Sequence, residues 1–206
     1  NVTRYFGEQK ALDDVSFTIS SGEIAGFLGP NGAGKTTMMR IITGFLPASS
    51  GKVLINGTDI SDNNRELRKT IGYLPENNPL YHEMYVKEYL GFVASLYKMG
   101  EKKKKAVDEI INLTGLTPEK NKKIGELSKG YRQRVGLAQA LIHNPEILIL
   151  DEATSGLDPN QITEIRALIK EAGKAKTVII STHIMQEVEA VCSRVIIIDK
   201  GIIVAD

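Results

Sequence analysis

Gly29-Pro30-Asn31-Gly32-Ala33-Gly34-Lys35-Thr36-Thr37 fits the phosphate-loop pattern G-x-x-x-x-G-K-[ST]. Residues 23–28 before it form an apolar run typical of a short buried strand, and residues 36–42 after it have helix-like apolar spacing. The pattern therefore joins a strand to a helix, which is the context in which such a loop binds phosphate. Gly32 and Gly34 let the backbone wrap closely, and the helix N-terminus adds a partial positive charge. We expect a polyphosphate ligand.

Three side chains of this loop have separate expected roles. Lys35 would reach the β- and γ-phosphates, the Thr36 hydroxyl would ligate Mg²⁺, and Thr37 would bond the phosphate next inward. A glycine-rich turn that happens to precede a helix is the alternative. It is disfavoured because the Lys-Thr pair and the preceding strand are both present.

Length and composition limit the classes of protein. The 206 residues suffice for one domain, or one domain with an inserted lobe, whose core needs neither disulfides nor metal. The formal net charge of +1 gives no electrostatic case for nucleic acid. No apolar run approaches the ~18–20 residues of a membrane helix. The single Cys192 has apolar neighbours, which predicts a packing residue in a reducing compartment. Because the sequence starts at Asn1 rather than Met, we expect it to be part of a longer protein.

The segments around the loop predict a small antiparallel sheet beside the nucleotide. Residues 11–20 alternate apolar and polar side chains, which indicates a half-exposed strand. Residues 52–55 are typical of another strand, and Asn56-Gly57 of the tight turn after it. Residues 71–75 predict a short strand that returns to the core.

From Glu76 the pattern changes to two helices, over residues 85–99 and 101–113, which we interpret as an inserted helical lobe. The charged run at 101–105, where the first helix gives way to the second, is interpreted as a solvated turn rather than a phosphate or membrane patch. His82 has no second ligand at useful spacing, so we expect no metal there. Ser128 is a good N-cap for a further helix whose N–H groups could hold an anion; an ordinary capped helix explains the same residues equally well.

Two acidic residues end a fully apolar run at 147–150. Asp151, at the end of such a strand beside a phosphate loop, can hold Mg²⁺ directly or through water, and Glu152 would face an attacking water. Pro159 suits the first position of a helix over 160–170. Residues 177–181 predict the next buried strand, which delivers Thr182 and His183 to the sheet edge where ligands bind. Residues 194–199 and 202–205 predict a closing hairpin.

With these residues in place, the chain resembles the nucleotide-binding domain of an ATP-binding cassette (ABC) transporter over essentially all 206 residues. Five motifs occur in the family's order: Walker A at 29–37, the signature at 127–131, Walker B at 147–152, the D-loop at 155–158 and the switch histidine at His183. The resemblance implies an α/β fold, with a P-loop NTPase core of the RecA-like type, an N-terminal antiparallel β subdomain and an inserted α-helical subdomain. Residues 1–75 and 143–206 would form the core with the β subdomain, and residues 76–142 the helical subdomain.

The resemblance also implies ATP and Mg²⁺ as ligands and names the residues of the site. Catalysis would rest on Glu152, His183 and Lys35. The nucleotide contacts would be Phe6, Tyr5, Asn31, Gly32, Ala33, Gly34, Lys35, Thr36, Thr37, Ser128, Gly130 and Asp158. The metal ligands would be Thr36, Asp151 and Glu76. Phe6, with Tyr5 as the second choice, would be the aromatic residue ahead of the first strand that stacks on adenine.

Two positions depart from the usual sequence of the family. Glu76 stands where a Gln is common, so the Mg²⁺ contact would rest on a carboxylate. The signature has Leu-Ser-Lys-Gly-Tyr in place of Leu-Ser-Gly-Gly-Gln, which puts Lys129 beside the phosphate-facing helix end. Both departures, with residues 76–81, resemble the branch that serves exporter-like membrane subunits, including those of drug efflux and bacterial gliding motility.

The implied function is Mg²⁺-dependent hydrolysis of ATP to ADP and phosphate. Hydrolysis would drive a head-to-tail dimer with a second copy or a paralogue, and so move transmembrane permease subunits. Such a subunit would be cytoplasmic and peripheral on the inner face of the cell membrane, with no nucleic-acid partner. Two alternatives remain: a cassette ATPase acting on ribosomes or DNA, and a regulatory module that holds ATP but barely hydrolyses it. The absence of a second cassette or a long coiled-coil insert disfavours the first, whereas Lys129 and Glu76 keep the second open.

Overall fold

The computed structural model describes residues 1–61 and 64–206. Within these residues it contains ten β-strands and seven α-helices. The strands are β1 (Val2–Phe6), β2 (Gln9–Val15), β3 (Ile24–Leu28), β4 (Leu54–Ile55), β5 (Thr58–Asp59), β6 (Ile71–Leu74), β7 (Ile147–Asp151), β8 (Thr177–Thr182), β9 (Arg194–Asp199) and β10 (Ile202–Ala205). The helices are α1 (Lys35–Ile42), α2 (Arg65–Lys69), α3 (Val86–Leu96), α4 (Lys103–Leu113), α5 (Lys129–Leu141), α6 (Pro159–Gly173) and α7 (Met185–Val191). None of the helices in the described ranges combines the length and apolar character needed to cross a membrane.

Six strands form the central sheet, in the order β10-β9-β3-β8-β7-β6. The strands from β9 to β6 run parallel, and β10 pairs antiparallel with β9 as the predicted hairpin. β7 and β8 are almost continuous apolar runs because both faces of this parallel part of the sheet are covered. The predicted α/β class is therefore confirmed, with the phosphate loop following β3 at the carboxyl edge.

Two hydrophobic cores lie on opposite faces of the sheet. One core joins the sheet to α1, β1 and β2, and it contains the fully buried Leu12 and Met39. The other joins the sheet to α3, α4, α5 and α6. Along β7 the side chains alternate between the cores, since Leu148 and Leu150 belong to the second core and Ile149 to the first.

The first antiparallel segment is shorter than its sequence pattern predicts. β1 and β2 form a separate two-stranded sheet in which Val2 pairs with Val15. Because Val2 is the first residue of β1, its partner strand ends at Val15, and the predicted strand over 11–20 is wrong for residues 16–20. Phe17 and Ile19 are partly buried against the core of α1, so the alternation reflects packing rather than strand pairing.

The prediction at residues 52–57 is confirmed in part. Asn56 and Gly57 have φ values of 50° and 80°, which is the geometry of a two-residue hairpin turn. Only Leu54–Ile55 pair with Thr58–Asp59, so the strand before the turn is two residues long.

Three helices, α3 to α5, lie between β6 and β7 in the chain. α3 and α4 pack against each other and against α5, which in turn packs on β6. The two helices predicted over 85–99 and 101–113 are present, but α3 ends at Leu96 and α4 begins at Lys103. The lysines at 103–105 thus form the first turn of α4, and the predicted turn is wrong for them. Lysine is a good helix former, and an exposed helical turn solvates its ammonium group as well as a loop does.

Candidate functional site

The phosphate loop leaves β3 at Leu28 and enters α1 at Lys35. Gly34 is the N-cap of α1 with a φ of 106°, and Gly32 has a φ of 80°; residues with a Cβ rarely adopt either value. Since Gly34 has no side chain to cap the helix, the first N–H groups of α1 remain available as donors. Asn31 and Gly32 are exposed at the tip of the loop. The loop therefore presents N–H groups and a helix end that suit an anion.

The side chain of Lys35 is held inside the phosphate loop by carbonyl groups of that loop. Its side chain is 6% exposed, and its Nζ donates to the Gly29 oxygen at 2.8 Å and to the Pro30 oxygen at 3.1 Å. The same Nζ lies 3.4 Å from Glu152 Oε1. A buried ammonium group is thus shared between the phosphate loop and the carboxylate that follows β7.

Asp151 connects the phosphate loop to two neighbouring strands. Its fully buried carboxylate accepts hydrogen bonds from the Thr36 hydroxyl at 3.2 Å, from the Ser181 hydroxyl, and from the Tyr73 phenol at 3.5 Å. Burial, and secondly the Asp151 charge, raises the pKa of Tyr73 to about 12. The phenol is therefore protonated at neutral pH and can donate a hydrogen bond to Asp151.

The oxygens of Thr36 and Asp151 are a donor set that suits Mg²⁺. This ion takes hard oxygen ligands and is commonly held by one or two carboxylates together with substrate phosphates and water. In the part of the chain that the structure describes, no group of three or more His, Cys, Asp or Glu could hold a metal ion by itself. An ion held by Thr36 and Asp151 would need further oxygen ligands, such as those of phosphate or water.

Glu152 lies between Lys35 and His183. Its side chain is 9% exposed, and Oε2 is 2.8 Å from His183 Nδ1. The φ of Glu152 is 51°, an uncommon value for a residue with a Cβ. Strain of this kind persists only where the surrounding contacts fix the residue, and it occurs often at functional sites. The Glu152 carboxylate thus links Lys35 of the phosphate loop to the His183 imidazole, at the carboxyl ends of β7 and β8.

Ser128 and Asp158 cap two helices whose first turns lie side by side. Ser128 Oγ accepts from the Tyr131 N–H at 3.4 Å, which confirms the predicted N-cap, and Asp158 Oδ1 accepts from the Gln161 N–H at 2.9 Å. A Cβ on Gly130 would lie 2.5 Å from Gln161 Cδ, so the start of α5 packs directly on the start of α6. Within the described ranges, no hydrogen bond or ion pair joins these caps to the cluster formed by Lys35, Thr36, Asp151, Glu152 and His183. They form a second polar surface of the same chain.

Lys129, the first residue of α5, turns back onto this surface. Its Nζ lies against Gly156, in the loop between β7 and α6. The lysine that departs from the usual signature sequence therefore contacts the loop that contains the D-loop residues of its own chain.

The two aromatic candidates for adenine stacking lie within the first strand, not ahead of it. Tyr5 and Phe6 are the last residues of β1, because β1 pairs with β2 up to Phe6. Both rings are exposed, at 43% and 47%. The Arg4 guanidinium lies 4.8 Å from the centre of the Phe6 ring, and Lys10 Nζ lies 5.6 Å from that of Tyr5. Their expected position is corrected, and their role stays a prediction.

Glu76 lies two residues beyond the end of β6, at the same sheet edge as Asp151. Its side chain is exposed, and in the described residues it makes no hydrogen bond or ion pair with Thr36 or Asp151. The structure does not bring it into the Thr36–Asp151 pair, so its role as a metal ligand also stays a prediction.

Two of the donors to Asp151, Ser181 and Tyr73, belong to none of the sequence motifs. Ser181 faces Asp151 in the register of β7 and β8, and Tyr73 lies on β6, the neighbour of β7 on the other side. A polar side chain inside the otherwise apolar run of β8 was the available signal for Ser181. No sequence signal distinguishes Tyr73 from an ordinary strand aromatic.

Comparisons of this sequence and of this structure with known proteins agree with one another. Residues 12–155 match the sequence model of the family described as ABC transporter. The chain is 44% identical over 203 residues to the uncharacterized ABC transporter ATP-binding protein YhcH of Bacillus subtilis, and 40% identical over 203 residues to the bacitracin transport ATP-binding protein BcrA of Bacillus licheniformis. Each alignment covers 98% of this chain and 66% of the relative, so the chain spans about two thirds of the length of these relatives.

A solved structure, the dimeric post-hydrolysis state of the ATP-binding cassette MJ0796 bound to ADP and phosphate, superposes with a TM-score of 0.88 at 28% identity. The superposition covers 100% of this chain and 95% of that one. The similarity therefore extends over both the sheet and the inserted helices.

Proposed function

Since the chain belongs to the ABC transporter family, we propose that it is the ATP-hydrolysing subunit of a transporter and powers substrate movement through separate membrane subunits. One observation carries this proposal. Lys35 of the phosphate loop lies 3.4 Å from Glu152, and Glu152 in turn lies 2.8 Å from His183, beside the Thr36–Asp151 pair.

The first step is phosphate binding. Lys35 and the free N–H groups at the start of α1 bind the β- and γ-phosphates of ATP, and Thr37 supports the phosphate next inward. Thr36 and Asp151 would hold Mg²⁺, which would supply positive charge to offset the charge on the phosphate oxygens. Tyr73 and Ser181 fix the Asp151 carboxylate by donating to it. Adenine stacking by Phe6 or Tyr5 and a metal contact by Glu76 complete the proposed binding set.

Hydrolysis follows from the position of Glu152. Its carboxylate orients a water and accepts a proton from it as the water oxygen bonds to the γ-phosphorus and the bond to the ADP oxygen breaks. His183 holds the γ-phosphate. Lys35 offsets the charge of Glu152 and of the phosphate, so that positioning and electrostatics supply most of the rate.

The second polar surface supports dimer formation. We propose that Ser128 and Gly130 at the start of α5, with Asp158 nearby, bind the phosphates held by a second cassette. These groups lie apart from the Lys35 cluster within one chain, so each nucleotide would lie between two subunits. The dimeric structure of the MJ0796 cassette supports dimer formation. ATP then shifts the equilibrium toward the closed dimer. The size of this shift is set by the difference between the affinity of ATP for the closed state and its affinity for the open state.

The membrane partner would bind near Glu76 and the helical subdomain, residues 76–142. Tyr81 and Phe92 are exposed there with ring centres 5.9 Å apart, which gives this surface an apolar patch. We propose permease subunits as that partner, and a cytoplasmic position on the inner face of the cell membrane. The names of relatives such as BcrA and the Nod factor export ATP-binding protein support the exporter-type branch.

The test is ATPase activity with Mg²⁺ for the wild type and for Glu152→Gln. We expect the variant to lose about 10²-fold or more in turnover, the scale of losing a general base, while still binding ATP. Its size in solution should change from monomer in ADP to dimer in ATP, because ATP persists in the closed state.

Glu171→Gln is the matched control, since Glu171 is an exposed glutamate on α6 whose one ion pair, among the described residues, is with Lys174. It should behave as the wild type. Near-normal turnover in Glu152→Gln would remove Glu152 from the proposed role. A wild type that binds ATP without hydrolysing it would instead favour the regulatory binding module.

A further inference from the structure

Glu187 on α7 is a buried carboxylate that the mechanism above does not use. It is 5% exposed, and its two oxygens accept from two hydroxyl groups: Oε1 from Thr154 and Oε2 from Thr182, the latter at 2.5 Å. Within the described ranges no lysine, arginine or histidine forms an ion pair with it. Burying a carboxylate without a cation is costly, so hydrogen bonds and the N-terminal end of α7 must offset the cost.

The two hydroxyl groups belong to segments that hold the catalytic side chains. Thr154 lies two residues after Glu152, and Thr182 immediately precedes His183. The contact between Glu152 Oε2 and His183 Nδ1, at 2.8 Å, closes a ring through both segments and back to Glu187. Glu187 therefore bridges the two segments that carry Glu152 and His183.

The same ring is tied to the phosphate loop. The Thr182 carbonyl accepts from the Gly29 N–H at 3.2 Å, and the Glu152 N–H donates to the Ser181 carbonyl at 3.0 Å. Glu152 itself has a positive φ, a strained conformation that needs surrounding contacts to persist. The Thr154–Glu187 bond holds the chain just after this residue.

We propose that Glu187 is a positioning residue for ATP hydrolysis: it keeps Glu152 and His183 in register by binding Thr154 and Thr182. It acts through these threonines and touches no nucleotide. The inference rests on the proposed ATPase function, but the geometry it describes is a property of the protein alone.

The kinetic test compares Glu187→Ala with Glu189→Ala, an exposed glutamate two residues further along the same helix. We expect Glu187→Ala to lower kcat about 10–100-fold with KM for ATP changed less than about 3-fold, because loss of register affects the reacting geometry more than binding. Glu189→Ala should leave both values unchanged. In a His183→Ala background, Glu187→Ala should cost less than about 3-fold more, since residues acting through one another are not additive.

Two further measurements keep the inference testable if Glu187→Ala folds poorly. Thr154→Val and Thr182→Val each remove one hydroxyl and retain the carboxylate, and each should lower kcat in the same direction. The second measurement is the ring ¹⁵N NMR signal of His183 in the protein without nucleotide. It should move in Glu187→Ala, while the signals of the other two histidines, His82 and His143, stay in place.

Three outcomes would overturn the inference: full kcat in Glu187→Ala, additive losses in the His183→Ala background, or an unmoved His183 signal. A wild type without ATPase activity would refute the proposed function instead. In that case the NMR measurement still decides whether Glu187 holds His183.

Discussion

Gly34→Ala should destabilise the protein more than Gly32→Ala, although both glycines lie in the phosphate loop with positive φ. At Gly32 the added Cβ meets nothing within 4 Å. At Gly34 it would lie 2.7 Å from the Ala11 carbonyl oxygen and 2.8 Å from Leu12 Cδ2. Gly32→Ala is therefore a matched control that carries the backbone strain without the overlap.

The magnitudes follow from these contacts. A Cβ in the left-handed region costs about 1–2 kcal/mol, which is the whole expected effect at Gly32. At Gly34 the φ of 106° lies beyond that region, so strain of about 1–3 kcal/mol applies. The overlap adds about 1–3 kcal/mol, because a carbonyl of β2 and the fully buried Leu12 cannot move freely. We expect losses of about 2–6 kcal/mol for Gly34→Ala.

The assay is urea unfolding without nucleotide, so that phosphate binding does not contribute. The midpoint should fall further for Gly34→Ala than for Gly32→Ala, with similar slopes for both variants. If Gly34→Ala were no less stable than Gly32→Ala, the packing of β2 against the phosphate loop would be wrong.

Three other predictions concern His143, Lys129 and Cys192. The ring of His143 stacks on Tyr97 with the two ring centres 3.9 Å apart, and burial lowers its pKa. As the pH falls, this histidine is therefore protonated in the unfolded chain before it is protonated in the folded protein. Stability should therefore fall as the pH drops below about 6.5, and His143→Phe, which keeps a stacked ring, should flatten that part of the urea-midpoint profile; an unchanged slope would contradict this. Lys129→Met should leave Tm nearly unchanged. In the Glu152→Gln background it should weaken ATP-driven dimerisation, measured by sedimentation at low salt, about 2- to 5-fold, which is the scale expected for one exposed charge. Equal dimer strength at low salt would exclude a phosphate contact by Lys129. Burial, and secondly the Glu187 charge, raises the pKa of Cys192 from 9.0 to about 11. Iodoacetamide at pH 8 should therefore label the folded protein about 100-fold more slowly than the urea-unfolded chain. Equal rates would show that the thiol is not buried.

Sequence patterns predicted the parts of the fold whose signals are local. The order of strand, phosphate loop and helix at 23–42, the apolar runs of β7 and β8, and the hairpin of β9 and β10 all depend on the periodicity of neighbouring residues. The N-cap at Ser128 and the proline at the first position of α6, Pro159, were equally predictable, because both act within one helical turn. Asp151, Glu152 and His183 followed from the rule that parallel strands end at one edge of the sheet.

Local patterns failed where a distant partner sets the boundary or the contact. β2 ends at Val15 because β1 offers no partner beyond Val2, and Phe6 is a strand residue because β2 pairs with it. Both outcomes depend on strand pairing that the alternation of residues 11–20 cannot encode.

The polar contacts of the site show the same limit most clearly. Thr36 and Asp151 are 115 residues apart in the chain, Tyr73 and Asp151 are 78 apart, and Thr154 and Glu187 are 33 apart. A sequence determines which groups can donate and accept hydrogen bonds, and the motif predicts where phosphate binds. Which buried hydroxyl meets which carboxylate depends on the register of parallel strands and on the packing of α7, because these bring together groups that no local period relates.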